Sequence, residues 1–210
     1  HKIVSGDKSY LCGVATDSHR LSSSSVEIDK AINIEAIILP KKTIFQLIFL
    51  LEESNKPIKI SINKSKITFL MDCGVLTSKV IDGRFPDYDK VIPKNNDKVL
   101  EVKLSEFKNS IERVTSVSTD RKEGLKMLIS NDVVQLSVNN PNSGEGSENV
   151  NAKFNSKDFN ISFNSRYLTD IASQIENETI FIYLKDPGSP VLIRDILDKN
   201  SFHVVMPMKI

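Results

Sequence analysis

Apolar positions along the chain recur with two periods, and the order of those periods itself repeats. Between Lys41 and Ser54, Ile44, Leu47, Ile48 and Leu51 fall at i, i+3, i+4 and i+7, the spacing of one buried helix face. Pro40 sits at the helix start, where a missing N–H costs little. An extended segment, Ala36–Leu39, leads in. Two strands follow, Ile58–Ile62 and Lys66–Met71, turned by Asn63-Lys64-Ser65.

The same order returns twice. Leu100–Leu104 is extended, Ser105 is placed to cap a helix, and Phe107, Ile111 and Val114 share one face. Strands Leu125–Ile129 and Val133–Val138 come next, turned by Ser130-Asn131-Asp132. The third copy runs from extended Phe159–Phe163 through Asn164 or Ser165 as cap to a helix with Leu168, Ile171 and Ile175 inward. Its strands are Thr179–Leu184 and Val191–Ile193, turned at Asp186-Pro187-Gly188. The helix starts near 41, 105 and 165 are 64 and 60 residues apart, longer than solenoid repeats of roughly 20–50 residues. That period predicts tandem strand–helix–strand–strand half-domains, two per domain, in an α+β fold with helices packed on antiparallel sheet.

Residues 1–22 read as a hairpin, with Ile3-Val4 and Tyr10–Thr16 on either side of Ser5-Gly6-Asp7-Lys8. It resembles the end of a fourth copy without its helix, so the chain is expected to be cut from something longer. The polar, twice-proline stretch 86–98 is the predicted boundary, giving domains 1–96 and 97–210. Residues 139–151 read as a polar, mobile hairpin tip.

Composition narrows the function. With 210 residues, 40% hydrophobic and 26% charged, the chain can bury a full core, and no apolar run is long enough to span a bilayer. Net charge is +1, with Lys+Arg against Asp+Glu at 14 to 11 over 1–96 and 14 to 16 over 97–210. This excludes a heavily basic DNA-gripping module but not a protein that meets DNA lightly. Cys12 and Cys73 are lone and form no metal-spaced cluster, so they are expected to be reduced core residues of a cytoplasmic protein, with no metal and no cofactor.

The consecutive Asp17, Ser18 and His19 invite a catalytic reading. In an extended chain, however, Asp17 and His19 point to one face and Ser18 to the other, which separates nucleophile from base. No other acid/base constellation stands out, so the chain is not expected to be an enzyme. A structural or adhesive repeat protein without a DNA role is the alternative.

Three segments carry a family resemblance: Ala15-Thr-Asp-Ser-His-Arg-Leu21, Asp82-Gly-Arg-Phe-Pro-Asp-Tyr88 and Val204-Val-Met-Pro-Met-Lys-Ile210. Asn164-Ser-Arg-Tyr-Leu168 and Gly188-Ser-Pro-Val-Leu-Ile193 add to it, in the same order along the chain. Together they resemble the bacterial sliding clamp, the β subunit of DNA polymerase III, over essentially the whole sequence. The resemblance implies most of the second domain and the whole third domain of a three-domain chain with the DNA-clamp fold. That chain forms a homodimeric ring around duplex DNA and acts as a processivity factor in DNA replication.

The resemblance also implies a pocket between those domains for short peptides of DNA polymerase, clamp loader and repair proteins. Carried over by position, it would use Thr16, Ser18, His19, Arg20, Leu21, Pro86, Lys90 and Val91, with Asn164, Tyr167 and Pro190. The tail Val204, Val205, Met206, Pro207, Met208, Lys209 and Ile210 would complete it. Arg20 is expected to pack its aliphatic stem at the pocket edge, the alternative being a pair with Asp17 or another surface carboxylate. Lys41 and Lys42 match basic DNA-facing positions, whereas Phe45 and Phe49 are expected to pack against a neighbouring helix. Lys108, Arg113 and Arg166 could face the DNA channel or simply belong to a surface of mixed charge. Against the family pattern, Ser18 replaces a usual glycine, Lys209-Ile210 an Arg-Leu end, and Lys122 an apolar residue of some members.

Overall fold

The computed structural model describes residues 1–52, 56–117, 124–142 and 144–209, and the chain divides into two compact units. Unit 1 is His1–Cys12 with Val26–Asp87, and unit 2 is Gly13–Ser25 with Tyr88–Ile210. The fold is α+β and dominated by antiparallel strands, as the repeat predicts.

In unit 1, strand β1 (Lys2–Ser5) pairs with the first half of β2 (Lys8–Thr16). Helix α1 (Lys41–Leu51) lies against a three-stranded sheet of β4 (Lys59–Ile62), β5 (Lys66–Met71) and β6 (Gly74–Lys79). Ile67, Phe69 and Met71 alternate inward along β5, as the period of two requires. They meet Leu47, Leu50 and Leu51 of α1.

The face of α1 differs from the one its spacing suggests. Thr43 is buried and its hydroxyl meets that of Ser78 at 2.7 Å, while Ile44 and Ile48 are exposed. The inward row is therefore Thr43, Leu47, Leu50 and Leu51. A helix apolar on most of its circumference has no single face legible in its sequence. Phe45 and Phe49, expected to pack on a neighbouring helix, are also exposed, at 61% and 65%. Cys73 is exposed at the β5–β6 turn rather than in the core, whereas Cys12 is buried. The expected helix end at Ser54 lies outside the described residues.

Unit 2 contains the second half of β2, most of β3 (Arg20–Ile28), β7 (Lys98–Lys103), α2 (Leu104–Thr115), β8 (Gly124–Ile129) and β9 (Val133–Asn140). After these come β10 (Gly144–Phe154), β11 (Phe159–Asn164), α3 (Ser165–Ala172), β12 (Thr179–Leu184), β13 (Val191–Arg194) and β14 (Ser201–Val205). Its strands run in the order β2-β3-β14-β13-β12-β7-β10-β9-β8-β11. Phe107, Ile111 and Val114 of α2 and Leu168 and Ile171 of α3 are buried on this sheet, with Ile175 just beyond α3.

Three local features depart from expectation. Ser105 does not cap α2, which begins one residue earlier after Lys103; the N–H of Leu104 instead donates to the Glu178 carbonyl at 2.7 Å. The stretch 139–151 is mostly strand, because its polar residues pair along β9 from Gly144↔Asn140 to Asn151↔Val133. Gly146 there comes so close to α2 that a Cβ would lie 2.9 Å from the Val114 carbonyl oxygen. Finally, Arg20–Ile28 is a strand although its four consecutive serines give no apolar alternation. Its partner supplies the reason: Ser22 meets His203 Nδ1 at 2.9 Å and Ser24 meets Ser201 at 2.9 Å, across the β3–β14 ladder.

Candidate partner-peptide site

The segment Thr16–Leu21 is the turn joining β2 to β3. Asp17 organises it: Oδ1 accepts from the N–H groups of His19 at 3.1 Å and Arg20 at 3.0 Å. The Thr16 hydroxyl donates to the Arg20 carbonyl at 2.8 Å. This is the Asx-type geometry that short polar side chains offer a turn. Ser18 stands at φ 74, the left-handed region where glycine is the unstrained residue. Asp17 and the backbone of Ser18 and His19 are thus engaged in the turn.

From that turn, Leu21 starts a cross-strand row. It pairs with Val204 of β14, Val204 with Leu192 of β13, and Leu192 with Tyr183 of β12. Leu21, Leu192 and Val204 are buried, with Val14, Tyr88 and Phe202 packed on them. Their neighbours one position along, Val191, Ile193 and Val205, belong instead to the cluster that holds α2 and α3. Alternation therefore gives this sheet two apolar faces.

A second wall comes from α3. Asn164 caps the helix, its Oδ1 accepting from the Arg166 N–H at 3.0 Å. One turn in, the Tyr167 ring stacks with the His19 ring at 6.5 Å between centroids, and the Arg20 guanidinium lies 4.4 Å above it. Arg20 also donates from Nε to Asp17 Oδ2 at 3.0 Å and from Nη1 to Asp170 Oδ2 at 2.6 Å. Partial burial acts to lower the Arg20 pKa, but the hydrogen bonds and charges of Asp170 and Asp17 raise it above its ordinary value. Asp17 is the mirror case: burial pushes its carboxyl up, while the His19 N–H and the Arg20 groups together hold it below the usual range.

The tail closes the arrangement. After β14, the Met206 N–H donates to the His19 carbonyl at 2.8 Å and the Met208 N–H to the Ser162 carbonyl at 2.7 Å. Both side chains stay partly open, 39% and 37% exposed, and Lys209 is exposed. Ile210 lies outside the described residues.

Of the other expected site residues, Lys90 ends a short 3-10 turn, Tyr88–Lys90, and Val91 follows it half-exposed. The half-buried Pro190 accepts at its carbonyl from Asn96 Nδ2 at 3.0 Å. Pro86 is exposed and belongs to unit 1. The turn, α3 and the tail all belong to unit 2. Sequence reasoning did not name Tyr88 and Leu192 as site residues, although both lie within segments that carry the family resemblance, and it missed Tyr183, whose only signal was apolar alternation, and the charged Asp170.

In unit 1, Lys41 and Lys42 are exposed at the start of α1, with Lys41 Nζ 5.3 Å above the Phe45 ring. Arg113 is bound up with Glu148 and with the Ser110 hydroxyl at 3.0 Å, and Arg166 approaches Asp170 at 4.0 Å. Lys122 lies outside the described residues. Among the described residues no three His, Cys, Asp or Glu gather as a metal site, and no helix is long and apolar enough to cross a membrane.

The family models for the DNA polymerase III beta subunit match the chain in two parts, the central domain over residues 3–87 and the C-terminal domain over 89–209. The chain belongs to the bacterial sliding-clamp family. It is 33% identical over its whole length to the beta sliding clamp of Caulobacter vibrioides, of which it covers 57%. To that of Escherichia coli K12 it is 32% identical over 94% of its length, covering 54%. The chain thus spans little more than half of these sliding clamps. Among solved structures, a sliding clamp from Bartonella birtlesii bound to griselimycin superposes with a TM-score of 0.94 at 36% identity, over all of this chain and 57% of that one. The clamp of Caulobacter crescentus also gives 0.94, at 33% identity, with the same full coverage of this chain and 56% of its own.

Proposed function

We propose that this chain forms the second and third domains of a DNA polymerase processivity factor, divided within 86–98. It is non-catalytic and holds polymerase, clamp loader and repair proteins through short peptides. Its peptide site is built from Thr16, Ser18, His19, Arg20 and Leu21, with Asn164, Tyr167, Pro190 and the tail from Val204 onward. Lys90, Val91 and Pro86 are its remaining members. The supporting observation is the meeting of the turn, α3 and the tail beside the row Leu21–Val204–Leu192. A repeat scaffold without a DNA role gives no reason for these segments to converge.

The chemistry suits a shared docking site. Buried aliphatic side chains provide a rigid floor, and a few polar groups fix orientation. Met206 and Met208 are flexible and polarizable, which suits many related peptides. In the complete protein, a homodimeric ring in the cytoplasm encircles duplex DNA and touches it without regard to sequence. Lys41 and Lys42 serve as phosphate-facing residues in this reading.

The test is titration of a fluorescent peptide carrying a glutamine followed by Leu and Phe anchors, against this chain and a version lacking 206–210. Saturable micromolar binding is expected, about −8 kcal/mol, with loss on removing the tail. Binding that survives the deletion displaces the site, and absence of binding by a folded chain removes the pocket.

A further inference from the structure

Arg20 is a residue of the turn, yet half of what holds its head group comes from elsewhere. Asp17 takes Nε at 3.0 Å from within the turn, and Asp170, one turn along α3 from Arg166, takes Nη1 at 2.6 Å. A guanidinium is planar, so two carboxylates at its edge fix the plane of the whole group. Its Cζ lies over the Tyr167 ring, 4.4 Å from the centroid, and the His19 ring stacks with the same tyrosine at 6.5 Å. The adjoining backbone carbonyl of His19 receives the tail at Met206. Two neighbouring residues, His19 and Arg20, therefore join α3 and the tail to the turn.

We propose that Asp170 is a positioning residue of the peptide site. Its carboxylate holds the Arg20 guanidinium over Tyr167 and so keeps the α3 wall in its receptive form. This inference rests on the peptide-binding function proposed above. Asp170 itself needs no contact with the peptide. Without its charge, Arg20 keeps the Asp17 tie, inside its own turn, and on α3 only the face of the Tyr167 ring. The arm then samples other rotamers and Tyr167 loses its cover. A peptide must restore that order on binding, at the expense of affinity.

Asp170→Asn is close to isosteric and removes the charge, whereas Asp170→Glu keeps a carboxylate within reach. Binding of the Gln-Leu-Phe peptide is expected to weaken about tenfold in Asp170→Asn, the scale of a charged hydrogen bond. Asp170→Glu is expected to recover most of that loss. Arg20→Lys, which lacks the planar fork, combined with Asp170→Asn should weaken binding no further than the greater of the single changes. Glu176→Gln, a charge change at an exposed position just beyond the same helix, should leave affinity unchanged.

A spectroscopic readout separates positioning from general loosening. The chain has no tryptophan, so its tyrosine emission is directly visible. Asp170→Asn should alter that emission in the native background and leave it unaltered in Tyr167→Phe. Equal or tighter peptide binding by folded Asp170→Asn, with the unmodified chain binding normally, overturns this proposal alone. Additive losses in the Arg20→Lys combination overturn it too. Failure of the unmodified chain to bind would instead overturn the pocket reading.

Discussion

The backbone N–H of Met206 donates to the carbonyl of His19 at 2.8 Å, tying the chain's last strand to the first turn of unit 2. A chain end is by default loosely held. Here the main chain is anchored again at Met208 while both thioether side chains remain partly open. Anchored backbone with open, unbranched thioether side chains gives an adaptable surface in a defined place.

Met206→Pro removes that donor, whereas Met206→Ala keeps it and removes only the side chain. We expect the proline variant to be less stable than the alanine variant by about 1 kcal/mol, the net worth of one hydrogen bond. Urea unfolding of the two variants measures the difference.

Ser18 holds a left-handed conformation at φ 74 with no glycine to make it easy. Ser18→Gly should stabilise the protein by roughly 0.5–1 kcal/mol, the relieved left-handed strain less the added chain entropy. Ser18→Val should destabilise it, because a β-branched side chain fits that region worst. Thermal melts of the three proteins give the order.

Gly146 is needed for space rather than for an unusual φ. A Cβ there would come within 2.9 Å of the Val114 carbonyl oxygen and 3.3 Å of Val117 Cγ1. Gly146→Ala should cost about 1–3 kcal/mol by overpacking. Gly144, at φ 111 with open space around it, tests backbone strain instead. Chemical denaturation midpoints of the two alanine variants separate the causes.

His203 is buried between β3 and β13, and burial lowers its pKa against an opposing pull from Asp198. The folded state thus favours neutral imidazole, and the unfolded chain binds the extra proton below about pH 6.5. Stability is full above that pH and falls as pH drops through it, by at most about 1.4 kcal/mol per unit. His203→Asn should flatten the profile between pH 5 and 7. The carboxylates held low, Asp17, Asp195 and Glu148 among them, act only at more acidic pH. Urea unfolding across that range is the measurement.

Phe107, Ile111 and Val114 on α2, the α3 cap as Asn164 or Ser165, and the strand Lys66–Met71 could be read without a structure. Each depends on neighbours within a few positions, where helix and strand periods act directly. The recurring order of one helix followed by two strands, and the segments that mark the sliding-clamp family, were equally legible. The inward face of α1 was not, because almost every side of that helix is apolar and only the sheet beneath it selects Thr43 and Leu47 over Ile44 and Ile48. The strand of serines, Arg20–Ile28, and the polar strand Gly144–Phe154 exist because partners distant in sequence satisfy their backbones and hydroxyls. The same holds for the site. Sequence named its turn, its helix start and its tail, but the Arg20–Asp170 pair and the Tyr183–Leu192–Val204–Leu21 row arise only when the folded chain sets residues far apart in sequence at hydrogen-bond distance.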